Sequence, residues 1–432
     1  MSIITVGLIC LIFMLFLIAI GVPIAFAMSV AGIIGNFIIT GVSATFTQIM
    51  LITWDRGTDF IIVCIPLFIF MGQLTSHAGI AADLYSVVQK WLGRLPGGLA
   101  VASIFACGGF GAVTGSSVAC VATMGAIVYP EMKKYHYDAG LATGVLASAG
   151  TLGILIPPSL NMAFYGILTD TSIAALFIAG IIPGLITISV FSLIVIIQCL
   201  VNTKMGPLAP KYSWKEKIVS LKSVIPIFII FGVVIGTLYG GVCTPTEAAG
   251  IGAVGVFVVC MAMKRLTLES FRTALRETGV VSAFMFLVIV GGYSITRFLV
   301  ITDISQIMVS YIQNLNLSQY ELIFYLVVLY TFLGCVLDVF GMIILTIPFV
   351  FPILIVAGID PVWFGVFIVI VSEIALITPP VGINVFIMRS VAKEVPMGKI
   401  FWGILPFLIG EYFILFLLST FPQIVTWLPS MM

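Results

Sequence analysis

GILIPPSLNMAFYG, residues 153–166, and ALITPPVGINVFI, residues 375–387, hold the only two Pro-Pro pairs of the chain, Pro157-Pro158 and Pro379-Pro380. Each pair lies inside an apolar stretch and is followed by an asparagine, Asn161 or Asn384. A glycine-containing segment follows later in each case, AGIIPG at 179–184 and WGILPF at 402–407. A helix does not run unbroken through two prolines, because amide donors are lost and the rings clash with the preceding turn. In hydrocarbon the freed backbone groups find no water, so such a break needs a reason. Two breaks in corresponding halves of a membrane chain point to a secondary transporter's binding site.

The surroundings are those of a membrane protein. Of 432 residues 61% are hydrophobic and 8% charged, where a soluble domain carries roughly 25% charged residues. The apolar runs, such as 3–20, 173–201 and 404–421, are continuous and not alternating, which excludes a barrel and implies helical spans. No basic n-region precedes the first run, so it reads as a span and not as a cleaved signal. The net charge of +1 carries no nucleic-acid signal, because the cations flank apolar segments. Eight cysteines without a CxxC pair read as small packing residues, and two histidines exclude a histidine-based metal site.

The two Pro-Pro segments belong to a longer duplication. GVPIAFAMSVAGIIG (21–35) parallels GVCTPTEAAGIGAVG (241–255), DLYSVVQKWL (83–92) parallels DISQIMVSYI (303–312), and Pro130 parallels Pro352. The near-constant offset divides the chain into repeats at 1–215 and 216–432. In the first, spans are expected near 3–20, 22–40 and 58–75, an amphipathic arm at 79–94, a hairpin with its tip at 111–117, the Pro157 break and a span at 172–201. The second repeats this with 223–240, 245–263, 279–298, an arm at 303–315, a tip at 334–341, the Pro379 break and 399–421. With five crossings per half, sixteen of the eighteen basic residues fall on one side, and only Arg56 and Arg297 fall on the other. Basic loops are cytoplasmic, so the halves are expected to be inverted, with both termini outside. Charge bias leaves open whether the hairpins re-enter or cross.

The first tip, GGFGAVTGSSVACVATMG (108–125), concentrates glycines and hydroxyls in an apolar setting. Backbone carbonyls with Thr114, Ser116 and Ser117 offer neutral oxygens suited to Na⁺; close helix packing is the competing use of the same small residues. In the second tip, GCVLDVFGM (334–342), Asp338 is flanked by Val336, Leu337, Val339 and Phe340. An acid in such surroundings is a functional candidate as cation ligand, charge compensator or proton carrier, or else a solvated tip residue. Thr378 adds a hydroxyl beside Pro379. Glu373 either supports that site or makes a structural hydrogen bond, Glu247 reads as a first-turn acid, and Glu411 has no evident role. Arg389, past Asn384, either faces an anionic substrate or snorkels to a cytoplasmic flank. No phosphate loop, HExxH or GxSxG motif is present, which argues against an ATPase or a hydrolase.

Together GVPIAFAM (21–28), TGSSVA (114–119), IPPS (156–159), FIAGIIPG (177–184), TPTEAA (244–249) and EIALITPPVGIN (373–384) resemble the large membrane subunit of tripartite ATP-independent periplasmic (TRAP) transporters, along the whole chain. The resemblance implies an all-α, inverted-repeat elevator of about ten spans, with two re-entrant hairpins and two broken helices. It implies Na⁺-coupled uptake of an organic acid anion across the bacterial inner membrane. The anion would be a C4-dicarboxylate, sialic acid, another carboxylate or a sulfonate. It also implies two partners, a separate four-helix membrane subunit and a periplasmic substrate-binding protein. One implied Na⁺ site comprises Thr114, Gly115, Ser116 and Ser117 with Pro157, and the other Gly334 and Asp338 with Thr378 and Pro379. Ser159, Asn161, Asn384 and Arg389 are the expected substrate-side residues. An intramembrane enzyme or an ion channel is the alternative.

Overall fold

The computed structural model describes residues 2–335 and 337–432; Val336, in the expected second tip, lies outside the described residues. Among these residues all regular structure is helical. The first half holds α1 (Ile3–Ala19), α2 (Ile24–Thr40), α3 (Val42–Gly57), α4 (Cys64–His77), α5 (Ile80–Leu92), α6 (Gly98–Thr114), α7 (Ser117–Lys134), α8 (Ala139–Ala149), α9 (Leu152–Leu155), α10 (Leu160–Thr169) and α11 (Ile173–Val201). The second holds α12 (Trp214–Leu221), α13 (Ile225–Tyr239), α14 (Pro245–Ala262), α15 (Leu268–Ile301), α16 (Ile304–Asn314), α17 (Gln319–Gly334), α18 (Val339–Val356), α19 (Pro361–Ile377), α20 (Ile383–Val391) and α21 (Met397–Thr420).

The order repeats. Broken spans α8–α9–α10 and α19–α20 occupy matching places, hairpins α6–α7 and α17–α18 precede them, and α11 and α21 follow. Start signals match as well: Asp138 and Asp360 each cap the next helix by accepting two amide bonds through the side chain. Ser318 with Glu321 and Thr244 with Glu247 form capping boxes. Both Pro-Pro bonds are cis.

Helices α3 and α15 differ from the sequence expectation. Residues 42–57, left between spans, form α3, and the span expected at 279–298 is the middle of a 34-residue helix, α15. The two differences are related. In the first half the chain leaves helix at Thr58, and the Asp59 side chain accepts the Ile61 amide in a tight turn, separating α3 from α4. The corresponding stretch of the second half has no such turn residue, so one helix runs through.

Among the described residues, five helices suffice by length and composition to cross a membrane: α11, α14, α15, α18 and α21. Three bent pairs also qualify: α4 with α5 at 67°, α8–α9 with α10 at 41°, and α12 with α13 at 51°. The chain is a multi-pass membrane protein.

Packing separates two groups. Helices α1–α4 interlock with α13–α15, most extensively α2 against α15 and α4 against α14. Helices α6–α11 interlock with α17–α21, led by α8 against α21. That contact is backbone on backbone: a methyl at Gly403 would stand 2.0 Å from the Gly140 carbonyl oxygen, and one at Gly144 would stand 2.3 Å from that of Gly403.

Candidate functional site

The first tip is a turn of two residues. Helix α6 ends at Thr114, Gly115 takes the left-handed conformation (φ +60°), and Ser116 caps α7 by accepting the Ala119 amide at 3.3 Å. The left-handed turn needs glycine, and so does the crowding around it. A methyl on Gly115 would stand 3.3 Å from the Pro158 carbonyl oxygen, and one on Gly153 of α9 would stand 3.0 Å from that of Ser116. The tip and the first break are therefore packed with backbone against backbone. The Thr114 hydroxyl donates back to the Phe110 carbonyl at 3.1 Å.

The second tip repeats the arrangement with different chemistry. Gly334 presses on α19, where an added methyl would stand 2.1 Å from Ala375 Cβ. The Cys335 thiol donates to the Pro379 carbonyl at 3.3 Å, so this tip also touches its own break. The Thr378 hydroxyl donates to Ile374 O across the last turn of α19. Asp338 stands at the cap position of α18 without a capping hydrogen bond and lines the space between the tips.

Each broken span then crosses to the other half's hairpin. Helix α10 packs on α18, with Phe164 edge-on to Phe340 at 5.4 Å, and α20 packs on α7. The Asn384 amide donates to the Ser117 hydroxyl at 2.8 Å and to the Ala147 carbonyl at 3.1 Å, tying the second break to the first tip.

Both tips open on one cavity of about 180 Å³. Thr114 to Ala119 line it from the first tip, Asp338 to Phe340 from the second, and Asn161 from α10. Its far wall belongs to the other helix group: Ile69, Gly72, Gln73 and Ser76 of α4, and Val281 and Met285 of α15. Gly72 lets the wall approach, since a methyl there would stand 2.8 Å from the Thr114 carbonyl oxygen. The Asn161 Oδ1 is buried and unpartnered, a free acceptor beside the cavity.

Of the expected site residues, Thr114, Gly115, Ser116, Ser117, Asn161 and Asp338 share this cavity. Pro157, Thr378 and Pro379, at the two breaks, and Gly334, at the end of α17, are not among its lining residues. Three expected substrate-side residues are bonded elsewhere. Ser159 is buried, accepts the Met162 amide and donates to Ile154 O, which makes it the cap of α10. Asn384 holds Ser117, as above. The Arg389 guanidinium donates to the Ala392 and Lys393 carbonyls and so closes the far end of α20. Glu247 fits its reading as a first-turn acid, bonded to the Thr244 amide and hydroxyl. Gln73 and Ser76 were not singled out from the sequence; polar residues in the apolar run IPLFIFMGQLTSH (65–77) were the available signal. No cluster of three or more His, Cys, Asp or Glu side chains stands among the described residues, so the oxygen donors near the cavity are carbonyls, hydroxyls and one carboxylate.

The family model for the DctM component of tripartite ATP-independent periplasmic transporters matches residues 11–424. The chain belongs to the DctM family. It is thus the membrane component of a transporter and not an enzyme. The C4-dicarboxylate TRAP transporter large permease DctM of Pseudomonas aeruginosa is 32% identical over 87% of this chain and 86% of its own. The sialic acid large permease SiaM of Vibrio cholerae is 29% identical over 86% of this chain and 87% of its own. Among solved structures, the YdaH transporter of Alcanivorax borkumensis superposes with a TM-score of 0.61 at 14% identity, covering 89% of this chain and 90% of that one, so the fold is shared.

Proposed function

We propose that this DctM component performs Na⁺-coupled secondary uptake of an organic acid anion, delivered by a periplasmic binding protein and with a small membrane subunit as partner. Helices α6–α11 and α17–α21 act as the transport domain and move against α1–α4 and α13–α15. The observation that carries this reading is the single cavity walled by both tips on one side and by α4 and α15 on the other. In such a place an anion contacts the moving and the static group at once, and displacement of one carries it across.

Na⁺ supplies the charge that an anion needs in a low-dielectric site. The Ser116 and Pro158 carbonyls with the Thr114 and Ser117 hydroxyls form one candidate Na⁺ site. Asp338 with the Thr378 and Pro379 region forms the other. Each Na⁺ entering down the membrane potential contributes about 2.3 kcal/mol per 100 mV. The substrate class is a carboxylate or sulfonate anion, C4-dicarboxylate and sialic acid being the examples set by the relatives. The halves are inverted, with the basic loops in the cytoplasm of a bacterial inner membrane.

The test is uptake into proteoliposomes holding this chain and its small subunit, with the binding protein and candidate organic anions outside. An inward Na⁺ gradient is expected to drive accumulation, and Ser116→Ala or Asp338→Ala to abolish Na⁺-dependent uptake with normal insertion. Unchanged Na⁺ dependence in both variants removes the ion-site assignment. Accumulation of no anion under any gradient removes the transporter mechanism.

A further inference from the structure

Two buried carboxyl groups stand away from the cavity, on helices that both belong to the proposed transport domain. Glu373 lies on α19 and Glu411 on α21, and each is 0% exposed. All four carboxyl oxygens lack a hydrogen-bond partner among the described residues. Helices α19 and α21 pack on each other, and the two acids are near enough for each to feel the other's charge. The face of α8 that meets α21 at Gly144 presents Ser148 one turn later, and its hydroxyl is also buried and unpartnered.

Among the described residues no cation answers these acids. The ionisable and phenolic groups on the neighbouring helices are committed elsewhere. Tyr165 donates to the Pro361 carbonyl, Tyr330 bonds Thr346, and Tyr412 pairs with Thr331. Arg389 closes α20, and Lys399 bonds Asp138. Two ionised carboxylates at close range in a low-dielectric interior repel each other and lack solvation, so they do not persist together without a cation. A Na⁺ ion would need several more oxygens, and among the described residues no third Asp, Glu, His or Cys joins the pair, which leaves a proton.

We propose that Glu373 and Glu411 form a proton-binding site inside the transport domain, separate from the cavity between the tips. The bound proton comes from water and resides on one carboxyl oxygen of the pair. While it is bound, the pair carries at most one negative charge. When it leaves to water at high pH, two charges remain in the α19–α21 contact and loosen it.

The full-length chain in lipid nanodiscs tests this by infrared spectroscopy, which resolves the carbonyl band of a protonated carboxylic acid and its shift in deuterated water. Wild type at neutral pH is expected to show that band, Glu373→Gln and Glu411→Gln each to shift it, and the double variant to lose this component. Thermal stability of the wild type is expected to fall as pH rises into the alkaline range, and that of the double variant to follow pH less steeply. A band unaltered by either single substitution overturns the proposal, and the singles alone decide the matter if the double does not fold. Disappearance of the wild-type band on adding NaCl overturns it too, in favour of Na⁺ as the occupant. None of these readings involves transported substrate, so the result is independent of the uptake assays.

Discussion

Glu394 and Asp138 show how single residues fasten the two halves on the side that carries the basic loops. Glu394, in the connection between α20 and α21, accepts from Lys133 and from Tyr129 of α7. The Lys133 ammonium holds its carboxyl down at about 2, below the ordinary 4.5. Burial pushes Asp138 up, but Lys399 and the Leu141 and Gly140 amides outweigh that and leave it below its usual range. Both groups are depressed in the folded protein, so their contribution is present above the unfolded values and is lost as pH falls toward the folded ones. The thermal midpoint is therefore expected to drop below about pH 4.5, more steeply in wild type than in Glu394→Gln. An equal acid slope in the two would remove Glu394 from the account. At this scale Thr114, Ser116 and Asp338 were legible in the sequence, because hydroxyls, glycines and an acid in apolar surroundings are unusual by composition alone. Ser159, Asn384 and Arg389 were legible as polar residues near the breaks, but their hydrogen-bond partners were not. Those partners are set by where a helix ends and by which hairpin it meets.

At the scale of elements, glycine decides which helices touch. The wall helix α4 meets the first tip at Gly72, where an added side chain would run into the Thr114 backbone. Gly72→Val is expected to hold the tip away from α4 and to lower uptake at least tenfold, while the purified protein keeps its helical circular dichroism. Wild-type uptake by this variant would show that the Gly72 contact is not part of the transport path. Gly403 on α21 meets the Gly140 carbonyl still more closely. Gly403→Leu is expected to destabilise by about 1–3 kcal/mol, the usual cost of overpacking a close contact, and a thermal-shift measurement checks it. The broken spans themselves were readable, because two adjacent prolines forbid a continuous helix whatever surrounds them. Helix α3 was not. It lies outside the strongly apolar runs, and its separation from α4 rests on one side-chain turn at Asp59.

At the scale of the whole molecule, the two halves complete one another. Each hairpin tip rests on its own break, while each helix beyond a break packs on the other half's hairpin, so neither half forms the site alone. The proposed inversion has a direct test. A protease-cleavable tag inserted at Lys211 is expected to be protected in intact spheroplasts, and one at the C-terminus is expected to be cut. Equal cleavage of both overturns the inversion, and the reverse pattern overturns the orientation with the basic loops inside.

The sequence by itself determined that the chain is helical and membrane-embedded, that its pattern occurs twice, and where both helices break. These follow from composition, spacing and proline chemistry, which act locally and need no partner. Only the tertiary structure decided that the two tips share one cavity with α4 and α15, that Asn384 serves the first tip, and that Glu373 and Glu411 stand together. Those residues are far apart along the chain, and in an apolar sequence many pairings bury equal surface. Glycine-sized clearances and a few hydrogen bonds select among them, and these exist only once the helices have packed.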